Sequence, residues 1–279
     1  MIKLTNEDKL NIEKVAQTLK KHYGDHEDPW GLTIDKAQRS LELIYPFYKY
    51  YFQTRVFGVE NVADKQYMVV SNHSGQIAID GLLIGTAFAM EVDHPRILRA
   101  MVERFFTNLP FINKWASECG AVLGDRENCQ NLLERGESLL VFPEGVRGVA
   151  KSTPDYYNVQ EFTRGFYRMA LKSNIEIIPV AVIGAEETFP YVYQAKWLAK
   201  KLGLPALPIS ANYLPLPSPV DIYIGKPVRV ADDLSTLDTD HDIDPYIDEI
   251  EVTIQSMIDE GLKNRREMPL VNLIKGRKS

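Results

Sequence analysis

From Thr5 to about Tyr23, the apolar residues Leu10, Ile12, Val15, Ala16 and Leu19 recur at helical spacing among charged ones. This predicts an amphipathic helix capped by Thr5 or Asn6. The stretch GDHEDPWGLT reads as a loop, and beyond it Leu41, Leu43, Ile44, Tyr45, Phe47, Tyr48, Tyr50, Tyr51 and Phe52 form an aromatic-rich second helix. Two accounts of that density stand side by side. The rings cover the core of the following domain, or, flanked by Lys49 and Arg55, they sit at the headgroup level of a bilayer.

After Gly58 short apolar runs (YMVVS, ILRAM, GAVLG, SLLVF, EIIPVAV, VDIYIG) alternate with helix-like stretches. This pattern predicts an α/β fold, with a mainly parallel central sheet flanked by helices and N-terminal amphipathic helices ahead of it. In such folds chemistry gathers at strand ends. Pro190 to Pro219 is rich in Pro, Leu, Tyr and Ala and reads as an inserted, turn-rich segment, the expected wall of an apolar cavity. Ile247, Ile250, Ile254, Met257, Ile258 and Leu262 mark a closing amphipathic helix, followed by Lys263, Arg265, Arg266, Lys275, Arg277 and Lys278. The expected organisation is a helical segment over 1–56, a central domain over 57–262 and a basic tail over 263–279. That tail is either a solvated end or an adhesive patch for anionic headgroups, each basic residue being worth about 1 kcal/mol there.

Composition narrows the possibilities. At 279 residues the chain can bury a substantial core, and its formal charge of −6 argues against nucleic acid as a partner. Cys119 and Cys129 are the only cysteines and form no C-x-x-C pair, which points to a reducing, cytoplasmic compartment rather than a disulfide framework. No cluster of His, Cys and carboxylates has the spacing of metal ligands, so no metal and no cofactor are expected. The start MIKLTNEDKL lacks a secretory pattern, and no run approaches the roughly 18 apolar residues that span a bilayer. Any membrane contact is expected from the surface.

Candidate chemistry lies in VVSNHSGQIAIDG, where His73 follows a predicted strand and Asp80 comes seven residues later. An imidazole can take a proton from an alcohol near neutral pH, and a carboxylate on its other nitrogen fixes the tautomer. A looped start to the next helix is needed for the two to touch. No G-x-S-x-G is present, and Ser74 is badly placed as a nucleophile for its neighbour. In LLVFPEGVRG a strand ends in Pro143-Glu144-Gly145, where small residues admit an anion and Arg147 can fork onto phosphate oxygens. GAVLGDREN presents Arg126 at another strand end.

Taken together, NHSGQIAID, GAVLGDREN, VFPEGVRG and IIPVAVIG resemble the four ordered blocks of the PlsC-type glycerolipid acyltransferase family, over roughly Phe57 to Val230. The resemblance implies an acyltransferase in which His73, oriented by Asp80, deprotonates an acceptor hydroxyl that attacks the thioester of acyl-CoA or acyl carrier protein. It implies that Asn72, Gln76, Arg126, Glu144, Gly145 and Arg147 contact the glycerolipid acceptor, that Pro179 shapes the acyl channel, and that the chain works peripherally on the inner face of the membrane. The tetrahedral intermediate demands an oxyanion site, expected from backbone N–H groups near the His73 turn. The family motif has four residues between His and Asp, whereas six lie between His73 and Asp80. Either Asp80 reaches back through a loop that Gly75 permits, which we favour, or Gln76 helps orient the imidazole. A neutral acceptor such as diacylglycerol, or non-catalytic lipid binding on the same fold, are the alternatives.

Overall fold

The computed structural model describes residues 3–74, 79–104, 112–195, 197, 208–210, 212, 214–231 and 240–266. Seven strands form one sheet: β1 (Arg55–Phe57), β2 (Met68–Ser71), β3 (Arg99–Val102), β4 (Val122–Leu123), β5 (Leu139–Val141), β6 (Ile177–Ile183) and β9 (Asp221–Ile224), in the order β1-β9-β6-β2-β5-β3-β4. The five strands from β6 to β4 run parallel, and β9 joins them antiparallel through β6. Continuous apolar runs such as MVVS and IIPVAVI are what a parallel sheet covered on both faces requires. Neither strand has an exposed residue.

Both faces are covered. Val69, Leu140, Ile178, Val180 and Val182 pack with α1 (Asn6–Tyr23), α2 (Ile34–Pro46) and α3 (Ile79–Met90). Met68, Val70, Leu139, Ile177 and Ala181, on the other face, pack with α5 (Arg126–Glu134), α7 (Gly165–Ser173) and α8 (Asp240–Lys263). The remaining elements are α4 (Ile112–Glu118), α6 (Val146–Val149) and a two-stranded antiparallel sheet of β7 (Tyr191–Gln194) and β8 (Pro208–Ser210).

Thr5 caps α1 through a capping box with Asp8, as its position predicts. The N-terminal helices are not an appendage: Ile12, Leu41, Tyr45, Tyr48 and Phe52 share one core with the sheet. The edge strand β1 crosses the expected boundary at 56/57. The tail boundary shifts likewise, because Arg265 pairs with Glu187 and Arg266 with Asp221, each at 2.7 Å, instead of standing in solvent. Lys275, Arg277 and Lys278 lie outside the described residues. No helix among the described residues is long and apolar enough to cross a membrane.

Candidate active site

The registers of β2, β5, β3 and β4 align Met68, Leu139 and Arg99 in one row and Met101 with Val122 two rows on. Asn72, Pro143, Glu103 and Gly124 therefore end their strands at one edge, with His73 and Glu144 next. Parallel pairing thus brings three sequence blocks to a common site at the carboxyl ends of the strands. The fourth block is β6, whose end meets the same edge.

At that edge His73 is held from four sides. Its Nδ1 lies 2.7 Å from Asp80 Oδ2. Its backbone N–H donates to Glu144 Oε1 at 2.7 Å, and its carbonyl accepts from Lys151 Nζ at 3.4 Å. Its ring stacks on Phe142, with centroids 4.3 Å apart. Asp80 is fully buried in the first turn of α3 and also accepts the Ser74 N–H at 2.7 Å. The carboxylate therefore reaches back to the imidazole, and it holds the Ser74 N–H as well as the ring. With Nδ1 engaged, Nε2 is the ring atom left for a reacting hydroxyl.

Glu144 supports the histidine from behind. It is buried, its Oε1 takes the His73 N–H, and its Oε2 takes the Gln160 N–H at 2.9 Å and lies 3.0 Å from Lys151 Nζ. Lys151 is itself buried and lies 3.1 Å from Glu186 Oε1. Burial lowers the Lys151 pKa, yet Glu186 and Glu144 outweigh it and hold the ammonium above its ordinary value. Burial pushes the Glu186 carboxyl up to about 7 in spite of the adjacent lysine. Gly148 closes this arrangement, since a Cβ there would sit 2.6 Å from His73 Cβ and 3.0 Å from Glu144 Cβ.

Several expected contacts turn out differently. Asn72 is buried, and both ends of its amide are spent on Val182: Nδ2 donates to the carbonyl at 3.1 Å and Oδ1 accepts the N–H at 2.8 Å. It prolongs the β2–β6 ladder and does not face an acceptor. Glu144 likewise has its carboxylate committed to the scaffold, so it positions His73 instead of touching substrate. Gly145 takes φ of +55° and starts α6, which lets the chain turn over the histidine. Pro179 lies mid-strand opposite Val70, three rows or about 10 Å below His73. It packs against Gly225, whose N–H donates to its carbonyl at 2.8 Å, so it fills the sheet instead of shaping a channel. Gln76 lies outside the described residues.

The two arginines do stand at the edge. Arg126 is the exposed first residue of α5, behind β4 and three strand spacings, about 14 Å, from β2. Arg147 is exposed in α6 and donates to the Glu161 carbonyl at 2.6 Å, with the Glu161 carboxylate 3.5 Å away. An ion pair that open to water is worth little, so an incoming anion can take Arg147 over at small cost. The N–H groups of His73 and Ser74 are both already donated, so an oxyanion must draw on other donors.

Residues 53–183 match the family model described as Acyltransferase. Over that span the chain is similar to the acyltransferase family. An uncharacterized protein of Mycobacterium tuberculosis is 35% identical over 237 residues, covering 80% of this chain and 65% of its own length. The human protein named DGAT1/2-independent enzyme synthesizing storage lipids is 25% identical over 176 residues, 62% of this chain and 53% of its own. This chain thus spans a little under two thirds, or about half, of the lengths of those relatives. Among solved structures, the 1-acyl-sn-glycerophosphate acyltransferase PlsC from Thermotoga maritima superposes with a TM-score of 0.54 at 19% identity, over 93% of this chain and 96% of that one. At that identity the likeness speaks for the fold. All four sequence blocks touch the domain match, which ends at Ile183, the last residue of β6. Lys151 and Glu186, which stand behind His73, lie in none of the four blocks and carry no motif signal of their own, whereas Phe142 and Gly148 fall inside VFPEGVRG.

Proposed function

We propose that this protein is an O-acyltransferase that moves a fatty acyl group from acyl-CoA or acyl carrier protein to a hydroxyl of a lysophospholipid or related glycerolipid, with His73 as general base. The observation that carries this reading is the 2.7 Å contact of His73 Nδ1 with a fully buried Asp80 at the carboxyl edge of the sheet. The carboxylate fixes the tautomer that leaves a lone pair on Nε2 and stabilises the imidazolium that follows. His73 Nε2 takes the hydroxyl proton as the acceptor oxygen attacks the thioester carbonyl. The tetrahedral intermediate then collapses with cleavage of the carbon–sulfur bond, and the imidazolium returns its proton to the departing thiolate. No acyl-enzyme is needed, in keeping with a site whose adjacent hydroxyl, Ser74, is fully buried.

Arg126 and Arg147, exposed at the same edge, suit the phosphate of a lysophospholipid acceptor. A neutral acceptor such as diacylglycerol is the second reading, favoured by the similarity to the human protein named for storage-lipid synthesis and by the hold of Glu161 on Arg147. Such an enzyme works where its acceptor is, peripherally on the inner face of a membrane. Thiol release from palmitoyl-CoA and from acylated carrier protein, with a panel of lysophospholipids, glycerol 3-phosphate and neutral glycerides, tests the proposal. Acceptor-dependent release with the anionic acceptors supports it, and release with neutral glycerides alone selects the second reading. No release with any acceptor, from folded protein with vesicles present, contradicts both and favours a non-catalytic lipid-binding protein.

A further inference from the structure

The β7–β8 hairpin leaves the sheet at the catalytic edge. It follows β6 directly, through the short turn Glu186–Thr188 whose Glu186 faces Lys151 behind His73. Thr188 pins the base of the returning arm, its carbonyl accepting from Asn212 Nδ2 at 2.9 Å and from the Leu216 N–H at 2.8 Å. Beyond that base the hairpin makes its main contacts between its own two strands. A two-stranded unit of this kind is marginal in water unless something covers it.

What it shows to solvent is apolar. Tyr193 and Ile209 are a directly opposed cross-strand pair, exposed at 61% and 41%, with Val192 beside them in the bulge at 59%. Leu214, on the arm leading back to β9, is 78% exposed. Tyr51 donates to the Pro215 carbonyl at 2.6 Å, and its ring meets Phe47, which is exposed along with Leu43 one turn earlier. The apolar surface therefore continues from the hairpin arm onto the end of α2. Charge selects among possible occupants. From Thr188 to Val220 the sequence has no acidic residue and three lysines, Lys196, Lys200 and Lys201, in a chain whose net charge is −6. Exposed Tyr and Leu on a stretch of sequence that carries lysines and no carboxylate match the boundary layer of an anionic bilayer.

We infer that the β7–β8 hairpin and the Leu214 arm insert into an anionic lipid surface and hold the His73 edge against it. This rests on the acyltransferase reading only for its purpose, delivery of a lipid acceptor; the docking itself is separately measurable. The full chain is mixed with vesicles of equal parts phosphatidylglycerol and phosphatidylcholine and sedimented. The triple variant Tyr193→Ser/Ile209→Ser/Leu214→Ser is expected to keep the wild-type melting temperature and to bind at least ten-fold more weakly. In a second measurement Leu214→Cys is labelled with bimane at pH 7. Burial raises both native thiols, Cys119 and Cys129, to about 11, so the introduced cysteine reacts selectively. A blue shift on adding vesicles is expected. Wild-type protein that ignores the vesicles, a triple variant that binds them equally well, or a label that stays in water overturns the inference. A triple variant that changes oligomeric state instead overturns it in favour of a second copy as the occupant. Vesicle binding without acyl transfer defeats the proposed reaction and leaves the docking intact; transfer without hairpin-dependent binding does the reverse.

Discussion

A methyl group on Gly148 has nowhere to go, because its neighbours at 2.6 and 3.0 Å are the Cβ atoms of His73 and Glu144, fixed to the backbone and unable to swing aside. Gly148→Ala is therefore expected to push His73 away from its row and lower kcat at least ten-fold, with circular dichroism unchanged; an alanine variant with wild-type kcat contradicts this packing. Glu186 makes a second prediction. Its carboxyl, raised to about 7 in the fold, keeps a proton that the unfolded chain gives up near the ordinary glutamate value. That contribution to stability is present below about pH 4.5 and is lost as pH rises through about 7. Between pH 5 and 8 the urea midpoint of wild type should fall relative to that of Glu186→Gln, and parallel midpoints would refute it. His73 and Asp80 were legible in the sequence because only seven positions separate them and the first comes just after a strand. Lys151 and Glu186 were not, since they approach His73 across 78 and 113 positions of chain, and nothing local distinguishes them from surface charges. Asn72 misled for the reverse reason: its place beside His73 suggested substrate, whereas its amide substitutes for strand backbone.

Among the elements, α1 is fastened to the domain by one carboxylate. Asp8 completes the Thr5 capping box and also accepts from Lys49 Nζ and Tyr50 Oη, each at 2.6 Å. Burial would raise its pKa, but Lys49, Tyr50 and Thr5 outweigh that and hold it far below the carboxylate range. Asp8→Ala removes a cap and strands a lysine and a tyrosine, an expected loss of roughly 2–3 kcal/mol read from denaturant midpoints. A variant within 0.5 kcal/mol of wild type, the size of an ordinary surface change, would mean that α1 is not docked in this way. Part of the aromatic stretch that follows covers the core, the first of the two accounts offered for it. Tyr45, Tyr48 and Phe52 are core, while Phe47 faces solvent, in step with a helix that ends in a π-helical turn over Phe47–Tyr51. The central strands could be read because burial on both faces makes them uniformly apolar. The antiparallel placement of β9 could not, as its run VDIYIG looks like any other buried strand and its direction is set by the long hairpin arm before it.

For the whole molecule, the arrangement places three motif strands side by side and lets segments on either side of them in the sequence close onto the sheet. Arg55 and Arg266 converge on buried Asp221 at 2.8 and 2.7 Å, joining the first strand of the sheet to the residues after its last helix. Sequence boundaries drawn at 56 and 262 missed this closure because ion pairs spanning 166 and 45 positions leave no local trace. What the molecule is built around is the dyad, and acceptor-dependent thiol release from palmitoyl-CoA in wild type, His73→Ala and Asp80→Asn tests it most directly. With all three proteins equally folded, the account predicts release by wild type, none above background in His73→Ala and a loss of at least a hundred-fold in kcat in Asp80→Asn. Transfer that survives in His73→Ala would contradict the account.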